Sequence, residues 1–181
     1  MSEEFGILRI VTTRLDAAAI AYMVTGSMAM NYYGVPRMTR DIDVVIEVDV
    51  PDLERVCALF QDDFYLEREA VQDAIERRTT FNVIHTALVI KVDFVVRKNT
   101  EYRRMEFARR RRVSAQDHSF QIVAPEDLII SKLAWASDSR SEVQLADVRN
   151  VLRSVPQLDR RYLEEWIARL GLEPLYREVA E

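Results

Sequence analysis

The stretch Asp41-Ile42-Asp43-Val44-Val45-Ile46 limits what this chain can fold into more than any other. Strand side chains alternate with a period of two, so Asp41 and Asp43 point to one face. Ile42, Val44, Ile46 and Val48 point to the other. One face is therefore built for burial, and its reverse carries two like charges. Adjacent carboxylates repel and need a compensating cation, a shared proton or full solvation. A divalent metal held by oxygen ligands would meet that need. Upstream stands a small turn, Gly26-Ser27, and between the two lies the loop Val35-Pro36-Arg37-Met38-Thr39-Arg40.

Apolar spacing predicts a helix over 5–19, a buried strand over 20–25 and a short helix from about 28 to 33. Ser27 can cap that helix and Gly34 can end it. Pro36 makes 35–40 a loop, and the acidic strand follows over 41–48. Pro51 suits the first turn of the next helix, which carries Leu53, Val56, Leu59 and Phe60 as its stripe. A short strand over 64–67 and a helix over 69–77 come next. The β-rich runs 81–86 and 88–97 form either a hairpin or one long bent strand. A helix over 102–110 precedes short strands near Val113 and over 120–123. From Pro125 the pattern turns helical: one helix starts there, two more span 142–152 and 159–170, and Gly171 and Pro174 punctuate the end. Trp135 and Trp166 read as core. The expected organisation is an α/β core over 1–124 and a helical C-terminal part over 125–181 packed on it.

With 181 residues, 49% apolar and 30% charged, the chain has the size and balance of one well-buried soluble domain with a helical extension. A single cysteine, Cys57, permits no internal disulfide and suggests a reducing compartment. In its helical pattern it reads as a small buried hydrophobe. No signal peptide and no membrane span are expected, so a cytoplasmic location follows. A net charge of −5 argues against a protein that is basic all over, yet leaves room for a local basic patch.

A third carboxylate lies in Val89-Ile90-Lys91-Val92-Asp93-Phe94. Lys91 and Asp93 share one face of an apolar strand, where charges are costly unless partnered. If that strand lies beside the Asp41–Asp43 strand, three acids converge, as they do around two divalent ions in phosphoryl transfer.

Gly26-Ser27, then Asp41-Ile42-Asp43, then Asp93 resembles the nucleotidyltransferase superfamily whose core is the DNA polymerase β-like fold. Within it the chain looks most like small bacterial abortive-infection nucleotidyltransferase-like proteins of toxin–antitoxin type. The carrying motifs are Arg37-Met38-Thr39-Arg40-Asp41-Ile42-Asp43, Lys91-Val92-Asp93, the run Glu126 to Leu133, and Asp147 on the following helix. The similarity spans about 20–152.

The resemblance implies an α+β fold, with a mixed sheet flanked by helices and a C-terminal helical region. It also implies transfer of a nucleoside monophosphate from an NTP to a hydroxyl of an acceptor, with release of pyrophosphate. Asp41, Asp43 and Asp93 would hold Mg2+ or Mn2+, and Asp93 would take the proton of the attacking hydroxyl. Gly26 and Ser27 would meet the triphosphate. Arg37, Arg40, Lys91 and Lys132 would neutralise phosphate charge, with Asp147 orienting Lys132.

Each motif also has a plainer structural explanation. Gly26-Ser27 serves as an ordinary helix start, Asp41 as a solvated strand end, and Asp93 as a partner for Lys91 or an arginine. Lys132 and Asp147 suit an amphipathic helix surface. His85 and His118 lack metal-ligand spacing and read as structural. Arg103, Arg104, Arg109, Arg110, Arg111 and Arg112 form either a solvated helix face or a phosphate-binding surface for an RNA acceptor. Consecutive arginines cannot all face one way on a helix. Two competing readings stand beside the enzyme: a non-catalytic interaction protein with a cognate toxin or antitoxin, and an RNA-binding module.

Overall fold

The computed structural model describes residues 2–180. In chain order its elements are α1 (Glu3–Ala17), β1 (Tyr22–Thr25), α2 (Gly26–Tyr33), β2 (Asp41–Ile46), a 3-10 turn (Val50–Asp52), α3 (Leu53–Phe60), β3 (Phe64–Tyr65), α4 (Arg68–Arg77), β4 (Thr80–His85), β5 (Ile90–Val96), α5 (Glu101–Ala108), β6 (Arg111–Ala115), β7 (His118–Ile122), α6 (Pro125–Ser139), α7 (Glu142–Ser154), α8 (Arg160–Arg169) and α9 (Glu173–Ala180). The fold is α+β. The chain divides into two compact units. The first holds the residues through Met28 together with Thr39–Ile122, and the second holds Ala29–Met38 with the residues from Val123 onward.

In the first unit the described strands form one mixed sheet ordered β3-β4-β5-β2-β1-β7-β6. β2 runs parallel to β5 and β1 parallel to β7, while the other neighbours are antiparallel. The two β-rich runs of the sequence thus pair as a hairpin, with His85 opposite Ile90. Its turn places Val89 at φ +53°, and His85 Nδ1 accepts from the Leu88 N–H at 3.2 Å.

The apolar face of the sheet carries the core. Ile42, Val44 and Ile46 of β2 and Ile90, Val92, Phe94 and Val96 of β5 are all buried. The Phe94 ring lies 5.2 Å from both Phe60 of α3 and Phe81 of β4. α1 adds Ile7, Leu8, Val11 and Leu15, and its start is capped by Ser2, whose hydroxyl accepts from the Phe5 N–H at 3.3 Å.

The second unit is helical, with an interior of Leu128, Ile129, Ile130 and Leu133 from α6, Leu145, Val148 and Val151 from α7, and Leu163, Trp166 and Ile167 from α8. Two buried acids open α6, where the helix dipole favours negative charge. Both also accept hydrogen bonds, which buried carboxylates require. The Asp159 N–H donates to Glu126 at 2.9 Å, and the Tyr162 hydroxyl donates to Asp127 at 2.6 Å. The first turn of α6 is thereby tied to the start of α8.

Several expectations need correcting. Trp135 is 66% exposed, whereas Trp166 is 5% exposed and belongs to the core. Leu128, Ile129, Lys132, Leu133 and Ala136 occupy the buried side of α6. A further helix, α9, follows Gly171, because proline is tolerated in a first helical turn and Pro174 is its second residue. β2 stops at Ile46, two residues short of the expected end. The arginine run is not one helix: Arg103 and Arg104 lie on α5, Arg109 and Arg110 follow it, and Arg111 and Arg112 begin β6.

No helix of the described residues is long and apolar enough to cross a membrane.

The two tryptophans provide a check. Trp166→Phe leaves Trp135, whose emission is expected to be red-shifted and readily quenched by acrylamide. Trp135→Phe should leave a blue-shifted, protected Trp166. Equal quenching of the two variants would contradict the assignment.

Candidate active site

The polar face of the sheet in the first unit is set by strand register. In parallel β2 and β5, Asp41 lies opposite Lys91 and Asp43 opposite Asp93. Partners in register present side chains on the same face, so these four residues form a square on the side away from the apolar core. Thr25 of β1 pairs with Asp43, and Asn82 of β4 pairs with Asp93, which extends a polar row across four strands. Neither Thr25 nor Asn82 stands out in the sequence, because only the non-local pairing brings them to this face.

Charge compensation here is internal. The Lys91 ammonium lies 2.7 Å from Asp93 Oδ2 and 3.9 Å from Asp41 Oδ1. Its pKa is raised, chiefly by the hydrogen bond to Asp93, against a smaller lowering by burial. A raised lysine pKa means that this ion pair persists through neutral pH and is lost only as pH climbs through the folded value. Asp93 is the more enclosed acid, with 18% of its side chain exposed against 64% for Asp41.

Gly26 closes one side of the square. Its φ is +61°, a conformation that favours glycine, and a Cβ there would overlap the Asp43 carboxylate. Asp43 therefore sits directly against the backbone at the start of α2, with Ser27 next in the chain. Arg40 is exposed one residue before β2.

The donor set suits a hard divalent cation, since three carboxylates share one face and one of them rests in a cradle that only glycine permits. Among the described residues, no group of three or more His, Cys, Asp or Glu side chains is gathered closely enough to hold a metal ion as it stands. A monovalent stand-in, the Lys91 ammonium, lies between two of the acids instead.

A second charged cluster lies in the second unit. Asp147 of α7 accepts from Lys132 Nζ of α6 at 2.7 Å, and both side chains are 5% exposed. Lys132 also donates to Gln144 at 2.9 Å. Arg37 grips the same carboxylate with a fork of two hydrogen bonds, Nε to Oδ1 and Nη2 to Oδ2, each 3.0 Å. Burial alone would raise the Asp147 pKa, but the hydrogen bonds from Arg37 and Lys132 outweigh it and hold the carboxyl below its usual value.

The loop that carries Arg37 is clamped at two points. Asn31 accepts from the Arg37 N–H at 2.9 Å and donates to its carbonyl at 2.8 Å. Asn150 accepts from the Val35 N–H at 3.0 Å and donates to its carbonyl at 2.9 Å. Gln144 and Asn150 sit three residues either side of Asp147, one helical turn away, a spacing that could have flagged them.

Other candidates do not join either cluster. Thr12 and His118 Nε2 are 2.7 Å apart, and the His118 ring stacks on Phe120. Burial, aided by Arg9, lowers the His118 pKa and favours the neutral ring. His85 caps its hairpin turn. Arg103 binds Glu106 at 2.8 Å, Arg104 donates to the Asn99 carbonyl, and Arg110 lies over the Phe107 ring at 4.3 Å. Arg111 and Arg112 lie exposed on β6, an edge strand.

No family model matches the chain, and no curated protein matches it. Solved structures do. An antigenic nucleotidyltransferase-like protein from Paracoccidioides brasiliensis aligns with a TM-score of 0.59 and 16% identity, over 98% of this chain and 92% of its own. The lincosamide antibiotic adenylyltransferase LnuA, bound to lincomycin, aligns with a TM-score of 0.56 and 12% identity, over 83% of this chain and 96% of its own. ANT(2'')-Ia in complex with adenylyl-2''-tobramycin aligns with a TM-score of 0.54 and 14% identity, over 97% and 99%.

Asp147→Asn should destabilise the fold by about 3–5 kcal/mol at neutral pH, because it leaves buried Lys132 without its anion. A depressed carboxyl contributes stability that is fully present above its unfolded pKa and lost as pH falls through the lower folded one. The gap between wild type and variant in urea unfolding should therefore close as pH drops below 3.8. A gap that stays constant down to the acid transition would contradict the cluster.

Proposed function

The chain has the fold of the nucleotidyltransferases, and from that premise we propose that it moves a nucleoside monophosphate from an NTP to a hydroxyl of an acceptor and releases pyrophosphate. The observation that carries this reading is the parallel register that sets Asp43 opposite Asp93 with Asp41 on the same face. A structural role alone gives three like charges no reason to share one face.

Asp41, Asp43 and Asp93 would hold Mg2+ or Mn2+. When bound, the metal lowers the pKa of the attacking hydroxyl and offsets charge on the phosphoryl oxygens. The remaining work belongs to the chain. Gly26, without a side chain, lets the Asp43 carboxylate sit against the backbone, and Ser27 offers a hydroxyl and an N–H to the triphosphate at the start of α2. The acceptor oxygen forms its bond to the α-phosphorus as the bond to the β-phosphate oxygen breaks. The hydroxyl proton passes to an Asp93 carboxylate oxygen. In the first unit Lys91 and Arg40 supply cationic donors for phosphate oxygens, and in the second Asp147 acts as a positioning residue for Arg37 and Lys132.

Label from an α-labelled NTP, supplied with Mn2+ and cell extract, should appear on an acceptor. Asp43→Asn should lower that transfer by about a thousandfold, the loss of ~4 kcal/mol of transition-state stabilisation. Label transfer that is equal in wild type and variant would sink the mechanism.

A further inference from the structure

We propose that Lys91 is the resident counter-ion of the acidic face, and that divalent metal enters only as Lys91 lets go of Asp93. The inference rests on the metal reading above and goes beyond it by assigning an exchange: one ammonium out, one divalent cation in.

Three observations carry it. The Lys91 ammonium is 2.7 Å from Asp93 and 3.9 Å from Asp41, so it sits among the carboxylates named as ligands. Among the described residues no group of three acids is gathered closely enough to hold a metal ion as it stands, so the face has to rearrange before metal enters. Lys91 is also the half-exposed member of the square, while Asp93 is largely enclosed. The ammonium ends a flexible four-carbon stem with a path to water, whereas the carboxylate it serves has little solvation of its own.

The electrostatics favour the exchange. Asp93 and Asp41 share the one Lys91 ammonium, and a divalent ion supplies more positive charge at a shorter distance than an ammonium can. Without metal, the ammonium limits the repulsion between Asp43 and Asp93, which lie directly opposite each other. Lys91 thus holds the face together in one state. In the other it is released with its charge available for phosphate.

Exchange of this kind lowers the apparent metal affinity, because metal binds only the fraction of molecules whose Asp93 is open. Removing the ammonium removes that competition. The test is calorimetric titration of Mn2+ alone, without nucleotide, into wild type, Lys91→Met and Lys91→Arg, with thermal melting of each.

Lys91→Met is expected to melt lower than wild type without metal, to bind Mn2+ about tenfold more tightly, and to gain more melting temperature from it. Lys91→Arg, which restores a cation at the same place, should return to affinity near wild type. Should Lys91→Met not fold, Lys91→Gln keeps a hydrogen bond to Asp93 without the charge and is expected to bind more tightly as well. Equal or weaker Mn2+ binding in the neutral variants overturns the exchange while leaving the metal reading intact. Absence of Mn2+ binding in every variant, or binding that survives Asp43→Asn, overturns the metal reading and the exchange with it.

Discussion

The parallel pairing of β2 with β5 is the constraint on which the rest depends. It joins two strands that bury Ile42, Val44 and Ile46, and Ile90, Val92, Phe94 and Val96, on one side. In doing so it necessarily sets Asp43 opposite Asp93 and Asp41 opposite Lys91 on the reverse. Because side chains alternate, a slip of one residue would bury the charges and expose the core. Hydrophobic burial thus fixes the register, and the register delivers the charge cluster. Lys91, 2.7 Å from Asp93 and 3.9 Å from Asp41, offsets part of the repulsion within it.

The second unit solves a similar problem in a different way. There one acid, Asp147, serves two cations and is buried, so its geometry must be good for the pairing to be favourable. The forked bond from Arg37 meets that requirement, and the asparagines at 31 and 150 hold the loop that presents Arg37. This cluster carries one carboxylate for two cations.

What was legible in the sequence was what depends on short range. The period of two across Asp41-Ile42-Asp43, the same period in Lys91-Val92-Asp93, and the helical spacing after Pro125 each yielded the observed element. The meeting of Asp93 with Asp43 was legible only through resemblance, since pairing between residues fifty apart leaves no local trace. Thr25 and Asn82 were missed for the same reason, whereas Gln144 and Asn150 stand one helical turn from Asp147, a local spacing that could have flagged them. Trp135 misled because helical spacing tells which residues share a face, not where the neighbouring helix stops covering it. The arginine run left two readings open in sequence; the backbone turns from helix to strand within it, and Glu106 and Phe107 engage Arg103 and Arg110.

The central claim is that the face shared by β2 and β5 is a divalent-metal site. A crystal grown with Mn2+ and a non-hydrolysable NTP analogue, measured at the manganese absorption edge, tests it most directly. The account predicts an anomalous peak bounded by Asp41, Asp43 and Asp93, with the Lys91 ammonium moved out of hydrogen-bond reach of Asp93. Manganese and nucleotide bound elsewhere, with the Lys91–Asp93 pair intact, would contradict it.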